Sequence, residues 1–183
     1  MKALVVYANG SEDLEVTSIT DILNRGHVEV TKAAVTSEDL PIVTLAHGTK
    51  VLCDKKIEDC NDDYDVIAIP GGIPGADHCR DCKPLITKLK AQKEAHKYIA
   101  AICAAPGFVL ATHGLIDDAK ATGYPGCSDN VKYYVNEGVV VDKEHKVITG
   151  QGPAFCMEFA FAILQELTGE ENCLQVKKGM LVK

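Results

Sequence analysis

The chain has 183 residues, of which 46% are apolar, enough for one compact domain spanning 1–183 with a full hydrophobic core. A net charge of −7 without any basic cluster argues against nucleic acid, whose phosphates need a cationic surface. Because no apolar stretch approaches membrane-spanning length and the first residues turn polar too early for a signal peptide, we expect a soluble, unanchored protein. Eight scattered cysteines favour free thiols in a reducing cytoplasm over a disulfide framework.

The order of predicted elements indicates the fold class. Continuous apolar runs predict strands that are covered on both faces, at 3–8, 66–69 and 99–102. Helical periodicity predicts helices at about 12–25, 84–96, 105–113 and 155–168. A late hairpin is predicted from strands at 139–141 and 147–149. This alternation is typical of an α/β protein with a mostly parallel sheet and helices on both faces.

The first predicted helix places a carboxyl group among core residues. Glu15, Ile19 and Ile22 share one face because they are spaced at i, i+4 and i+7. Burial without a cation raises the pKa of a carboxyl, so a neutral Glu15 could donate a hydrogen bond to a thiolate or to its oxidised product. The alternative is that Glu15 extends to solvent or interacts with the helix start. Glu12, in the first turn, needs no role beyond complementing the helix dipole.

The second apolar run is followed by a glycine-rich segment, 70–75, that contains the pair Gly71 and Gly72. Backbone N–H groups at paired glycines can converge on an anion and form an oxyanion pocket. A dinucleotide loop is a weaker interpretation, because the spacing is not G-x-G-x-x-G and Pro74 interrupts the turn. A plain tight turn is the remaining alternative.

Cys79 and Cys82 have the C-x-x-C spacing of dithiol redox centres and of half a zinc site. A zinc site needs a second pair at similar spacing, which Cys53 and Cys60 do not supply, so we expect no metal site. A thioredoxin-type motif opens a helix after a strand, whereas this pair precedes Pro84 in a polar segment that we predict to be a loop. We therefore interpret Cys79 and Cys82 as surface cysteines.

The third apolar run ends at Cys103 and passes directly into a predicted helix. A sharp strand-to-helix turn lifts the side chain at its apex off the carboxyl edge of a sheet and requires small neighbours. Ala101, Ala104 and Ala105 supply such neighbours. At the positive end of a helix dipole, the Cys103 thiol should lose its proton readily. The alternative is a small buried cysteine that ends a core strand.

The loops after neighbouring parallel strands meet at one edge of a sheet, so we expect Glu15, the glycine pair and Cys103 to lie close together. No histidine is near Cys103 in the sequence, so a Cys-His protease pair has no obvious base. Tyr124 is the nearest candidate for a polar partner. Its alternative role is that of a core aromatic.

These motifs together resemble the Parkinson-disease protein (DJ-one) branch of the ThiJ/PfpI superfamily. The match covers almost the whole chain, and its motifs occur in the family's order at 12–15, 69–72, 100–106 and 152–162. The resemblance implies a flavodoxin-like sandwich with a nucleophile elbow, and a homodimer.

The resemblance also implies the roles of particular residues. Cys103 would be the reactive elbow cysteine and Glu15 its protonated carboxyl partner, with backbone donors at Gly71, Gly72 and Ala104. The implied chemistry requires no cofactor and acts on methylglyoxal-type dicarbonyls.

Some positions depart from the pattern of the wider family. Ala104 follows the nucleophile where protease-like and heat-shock relatives tend to have histidine, which disfavours proteolysis. Tyr124 stands where many members have histidine, which argues against a histidine-based proton relay. Gly48 and Gln151 stand where relatives often carry arginines near the dimer seam. This weakens the expectation that a cation assists an anionic ligand.

Two functions follow from the resemblance. The first is a cofactor-independent cysteine enzyme that acts on methylglyoxal-type dicarbonyls or their early adducts, as a glyoxalase or deglycase, and protects against oxidative stress. The second is a non-catalytic redox sensor or redox-regulated chaperone that works through oxidation of Cys103 to a sulfinate. We favour the enzyme, because glycine donors and a neutral acid beside a thiolate resemble an acyl-transfer site.

Overall fold

The computed structural model describes residues 1–182 and is organised around a seven-stranded central sheet. The strands are β1 (Lys2–Ala8), β2 (Glu29–Val35), β3 (Ile42–Thr44), β4 (Lys50–Leu52), β5 (Lys55–Lys56), β6 (Val66–Ile69), β7 (Tyr98–Ile102), β8 (Lys120–Ala121), β9 (Tyr133–Tyr134), β10 (Val139–Asp142) and β11 (Val147–Gly150). The helices are α1 (Asp13–Arg25), α2 (Gly75–Asp81), α3 (Lys83–Glu94), α4 (Cys156–Thr168) and α5 (Glu170–Gly179). No helix within residues 1–182 combines the length and apolar character that crossing a membrane requires.

The sheet has the strand order β10-β11-β7-β6-β1-β2-β5. All neighbouring strands are parallel except β10 and β11, which form the predicted late hairpin. Two small two-stranded sheets, β3 with β4 and β8 with β9, lie outside this array. The mostly parallel sheet and its covering helices confirm the predicted flavodoxin-like α/β fold.

Two hydrophobic clusters cover the two faces of the sheet, because alternate residues of a strand point to opposite faces. Ala3, Val5 and Tyr7 of β1 join the cluster that includes the apolar faces of α1 and α4. Leu4 and Val6 join the other cluster, which includes the apolar face of α3. This two-sided burial explains why the central strands are apolar runs without alternation.

The strand order reverses between β1 and β6, since the chain continues from β1 to β2 on one side and returns to β6 on the other. In open α/β sheets, sites form in the crevice outside the carboxyl ends of the strands at this point. The loop from β1 into α1, the glycine-rich loop after β6 and the elbow after β7 all lie at this edge.

The structure corrects three sequence predictions. The helix expected at about 105–113 is a shorter π-helical segment, Pro106–Ala111. The polar segment before Pro84 is not a loop, because Cys79 lies in α2 and Cys82 directly precedes α3. The interpretation of the C-x-x-C pair as surface cysteines is wrong as well, since Cys79 is fully buried and Cys82 is half-buried. Packing against the second hydrophobic cluster accounts for this burial.

Candidate active site

Cys103 occupies the apex of a strained strand-to-helix turn. Its φ is 64°, in the left-handed region that non-glycine residues rarely adopt. Hydrogen bonds hold this conformation on both sides: the Cys103 N–H donates to the Gly150 carbonyl at 2.9 Å, and the Cys103 carbonyl accepts from the Tyr124 N–H at 2.8 Å. A nucleophile elbow has this form. The turn therefore fixes where the sulfur lies.

Gly71 allows the glycine-rich loop to approach the elbow closely. A Cβ atom on Gly71 would lie 2.6 Å from the Cys103 Cβ and 3.0 Å from the Cys103 sulfur. Gly72 has a φ of 84°, and a side chain there would meet the backbone of Gly10 and Glu12 at 2.4 and 2.6 Å. The paired glycines are thus required by contacts on two sides.

Glu15 brings its carboxyl group from α1 into this junction. The side chain is fully buried, and its Oε2 atom accepts a hydrogen bond from the Gly71 N–H at 2.7 Å. The Cys103 thiol lies against the carboxyl group. The other oxygen, Oε1, is buried and has no hydrogen-bond partner among the residues described. The structure thus brings Glu15 and Cys103 together, as the sequence predicted.

Burial raises the pKa of the Glu15 carboxyl to about 7. The hydrogen bonds from Gly71 and Cys103 oppose this shift, whereas the negative charge of Glu12 adds to it. Glu15 therefore exchanges a proton near neutral pH, which suits a group that must both accept and donate one.

The raised pKa has a consequence for stability. The folded protein holds the Glu15 proton up to about pH 7, whereas the ordinary pKa of this side chain is 4.5. Holding that proton stabilises the fold below pH 4.5, and this contribution is lost as the pH rises towards 7. The difference between these two pKa values corresponds to a loss of roughly 3 kcal/mol in the free energy of unfolding above pH 7. We expect Glu15→Gln to raise the free energy of unfolding by about that amount at pH 8 and to change it little at pH 4, measured by urea unfolding.

The matched control for this prediction is Glu137→Gln, which removes an exposed carboxylate. This variant should follow the wild-type pH dependence. A Glu15→Gln variant that is equally destabilised at pH 4 and pH 8 would contradict the burial of an uncompensated carboxylate.

The expectation that the Cys103 thiol loses its proton readily is wrong for the resting site. Cys103 is only 9% exposed, and burial together with the negative charge of Glu15 raises the pKa of its thiol to about 12. The N–H groups of Gly72 and Ala104 act in the opposite direction but do not outweigh burial. The thiol and the carboxyl group therefore titrate as a pair, and ionisation of the sulfur requires Glu15 to accept its proton.

The backbone donors at the sulfur are fewer than the sequence predicted. Gly72 and Ala104 direct their N–H groups to Cys103. Gly71 does not serve as an oxyanion donor, because its N–H is already bonded to Glu15. Its role is to orient the carboxyl group and to leave space for the elbow.

Tyr124 reaches the elbow through its backbone. Its side chain is 47% exposed, and no hydrogen bond within residues 1–182 joins its hydroxyl group to Cys103 or Glu15. The ring packs against Gly152, where an added Cβ would lie 3.3 Å from the ring atom Cδ2. Beside this contact is a cavity of about 280 Å³ that is also lined by Pro125 and Phe155. Tyr124 is therefore neither a core aromatic nor a direct partner of the thiol.

Sequence reasoning missed the positioning role of Glu12. The Glu12 side chain caps α1 by accepting the Glu15 N–H at 2.8 Å, and the Glu12 N–H donates to the Gly71 carbonyl at 3.1 Å. Glu12 thus ties the helix that contains Glu15 to the glycine-rich loop. The signal was the acidic residue three positions before Glu15, which is the spacing of an N-cap.

No group of three or more histidine, cysteine, aspartate or glutamate side chains within residues 1–182 is arranged to hold a metal ion.

A cysteine at the apex of an elbow, at the carboxyl edge of a flavodoxin-like sheet, defines a class of α/β proteins. This chain belongs to one family of that class, since the model of the DJ-1/PfpI family matches residues 1–166. The resemblance that the sequence motifs indicated is confirmed.

Relatives and solved structures agree with this assignment. A structure of oxidized DJ-1 from Toxoplasma gondii has a TM-score of 0.93 and 41% identity, and the match covers 98% of this chain and 97% of that one. The protein dj-1beta of Drosophila melanogaster is 35% identical over 98% of this chain and 96% of its own. A Caenorhabditis elegans relative, named glutathione-independent glyoxalase DJR-1.2, is 33% identical over 93% of this chain and 90% of its own.

The chain spans 42% and 46% of the lengths of two Arabidopsis thaliana relatives, the DJ-1 homologs B and A.

Proposed function

We propose that this protein is a cofactor-independent cysteine enzyme that converts methylglyoxal-type dicarbonyls to hydroxy acids, as a glyoxalase, and that it acts on their early adducts as a deglycase. One observation carries the proposal: a proton-exchanging carboxyl, Glu15, is buried against the elbow thiol of Cys103 beside two backbone N–H donors. The relative named as a glutathione-independent glyoxalase supports the same chemistry.

The first step forms a bond between the Cys103 sulfur and the aldehyde carbon of methylglyoxal. The thiol proton passes to the Glu15 carboxylate as the sulfur attacks, because the buried thiol does not ionise alone. Charge develops on the former carbonyl oxygen, where the N–H groups of Gly72 and Ala104 can stabilise it. Glu15 then returns the proton to that oxygen, and the product is a hemithioacetal.

The second step is an internal redox reaction between the former aldehyde carbon and the neighbouring carbonyl carbon. Glu15 removes the hydrogen of the former aldehyde carbon as a proton, and its electron pair forms an enediolate. Protonation at the neighbouring carbon gives a lactoyl thioester, in which the first carbon is oxidised and the second reduced. Water then cleaves the carbon–sulfur bond, releasing lactate and the thiol. A single carboxyl with a pKa of about 7 can perform both proton transfers.

The test is lactate formation from methylglyoxal in buffer that contains a metal chelator and no glutathione. We expect catalytic production of lactate that exceeds the protein concentration many times. Heat-denatured protein serves as the control for reaction of methylglyoxal with exposed side chains. Consumption of methylglyoxal without lactate, at the rate of the denatured control, would exclude the glyoxalase assignment.

A second candidate function is redox sensing through Cys103. The Glu15 carboxyl group lies against the Cys103 thiol and has an unpartnered Oε1 atom, so in its protonated form it could donate a hydrogen bond to a sulfinate oxygen. The N–H groups of Gly72 and Ala104 could donate to the sulfinate as well. The oxidized form of the Toxoplasma gondii relative favours this possibility. Chaperone activity and protection against oxidative stress would follow from such oxidation.

We further propose that two copies of the chain form a homodimer in the cytoplasm, with no nucleic acid or membrane as partner. The exposed Leu14 on α1 and Leu52 on β4 support the dimer, because large apolar side chains in solvent favour association. The Leu52 strand adjoins the turn that contains Gly48, a position that the resemblance places near the dimer seam.

A further inference from the structure

The C-x-x-C pair has a geometry of its own, separate from the elbow. Cys79 lies in the last turn of α2, and Cys82 is the residue between α2 and α3. The Cys82 N–H donates to the Cys79 carbonyl at 3.3 Å, which is a turn of the i to i+3 type. Both cysteines pack against the same hydrophobic cluster, so their side chains lie on the same side of this turn.

This turn gives the two residues the spacing that a disulfide needs. The first and last Cα atoms of a four-residue turn lie within about 7 Å, and a disulfide joins Cα atoms roughly 4.4–6.8 Å apart. Beside this backbone geometry, the charge of Cys82 adds to burial in raising the pKa of the Cys79 thiol.

The two thiols differ in access. Cys82 is half-buried and lines a cavity of about 530 Å³ at the carboxyl ends of β1 and β2, together with Asn9, Glu58 and His78. Cys79 is fully buried behind it. The sulfur of Cys82 also accepts a hydrogen bond from the Leu85 N–H in the first turn of α3. A small oxidant can therefore reach Cys82 first, and Cys79 is positioned to react with the product.

We propose that Cys79 and Cys82 form a second redox centre, which hydroperoxides oxidise to a disulfide and cellular thiols reduce again. The Cys82 thiolate attacks one peroxide oxygen, the O–O bond breaks, and Cys82 becomes a sulfenic acid while water or an alcohol leaves. The sulfur of Cys79 then attacks the Cys82 sulfur, an S–S bond forms, and the hydroxyl group leaves as water with the Cys79 proton. Two thiols lose two electrons in total, and one peroxide gains them.

This centre does not depend on the proposed glyoxalase activity. Burial raises the pKa of both thiols, and Glu58 raises that of Cys82 further, so the reaction is expected to be slow and to need excess peroxide. The site is therefore one of thiol modification at the junction of α2 and α3, not a second catalytic thiol.

Peptide mapping after peroxide treatment tests the proposal directly. Trypsin cleaves after Arg80, between the two cysteines, so the disulfide would link peptide 57–80 to peptide 81–88 until a reductant separates them. Free thiols are alkylated before digestion to prevent exchange. We expect the linked peptides in wild-type protein and in Cys103→Ala, and their loss in Cys82→Ser.

Two further variants distinguish this pair from its neighbours. Cys60 lies on the same tryptic peptide as Cys79, so Cys60→Ala should retain the linked peptides whereas Cys79→Ala should abolish them. In Cys79→Ala, Cys82 should stop at a sulfenic acid that dimedone traps. Unoxidised wild-type protein, but not Cys82→Ser, should bind a trivalent arsenical that bridges two thiols. Absence of the linked peptides in wild type, or their persistence in Cys79→Ala, would overturn the proposal.

Discussion

Replacement of Cys103 by alanine is expected to reduce lactate formation from methylglyoxal by at least about a thousandfold, to the level of the denatured control. The substitution removes the only atom that forms a covalent bond with substrate in the proposed mechanism. It leaves Glu15 and the Gly72 N–H in place, so the remaining site retains a carboxyl group and a backbone donor without a nucleophile. The measurement is the initial rate of lactate release at saturating methylglyoxal.

The matched control is Cys60→Ala, which makes the same substitution at another buried cysteine. The Cys60 sulfur donates to the Lys56 carbonyl at 3.3 Å, and Cys60 belongs to the hydrophobic cluster on the other face of the sheet from the cluster that includes Cys103. This variant should retain wild-type turnover. Equal rates for wild type and Cys103→Ala would refute nucleophilic catalysis, and a similar loss in Cys60→Ala would indicate a general effect on folding.

The elements that local patterning controls could be predicted from the sequence. The apolar runs of β1, β6 and β7 identify strands covered on both faces, and the small residues around Cys103 identify the elbow. The proximity of Glu15 and Cys103 could also be predicted, because the loops that follow neighbouring parallel strands lie at one edge of the sheet.

Other features depend on how the chain packs in three dimensions. Helix α2 has seven residues, too few for a clear apolar periodicity, so the sequence did not indicate the buried face that contains Cys79. Strand β2 was not predicted either, because apolar and polar residues alternate only weakly along it; in the fold it lies beside the edge strand β5.

The ionisation of Cys103 was mispredicted for a similar reason. The helix start after the elbow favours a thiolate, which is a local effect. The depth of burial and the nearby Glu15 charge oppose it, and both come from parts of the fold distant in sequence. The Gly71 N–H likewise binds Glu15 because α1 and the glycine-rich loop meet in the folded chain.

The pH dependence of kcat/KM should follow the ionisation of the Glu15 carboxyl group. Because the thiol transfers its proton to the carboxylate, the reactive form holds one proton on the pair, whereas the form below pH 7 holds two. We expect kcat/KM to rise about tenfold per pH unit below the Glu15 pKa and to level off above about pH 7. Loss of the one remaining proton lies near pH 12, outside the working range, so no decrease should follow up to pH 9.

Glu15→Gln should lower kcat/KM by roughly a hundredfold or more, because the variant has no group that accepts the thiol proton. Its rate should continue to rise up to pH 9, since the buried Cys103 must then ionise without help and burial keeps its pKa above the ordinary 9.0. Glu15→Asp retains a carboxyl group on a shorter side chain, so it should show intermediate activity and a plateau. A flat wild-type profile between pH 5.5 and pH 8.5, or the same profile in Glu15→Gln, would show that Glu15 does not take part in proton transfer.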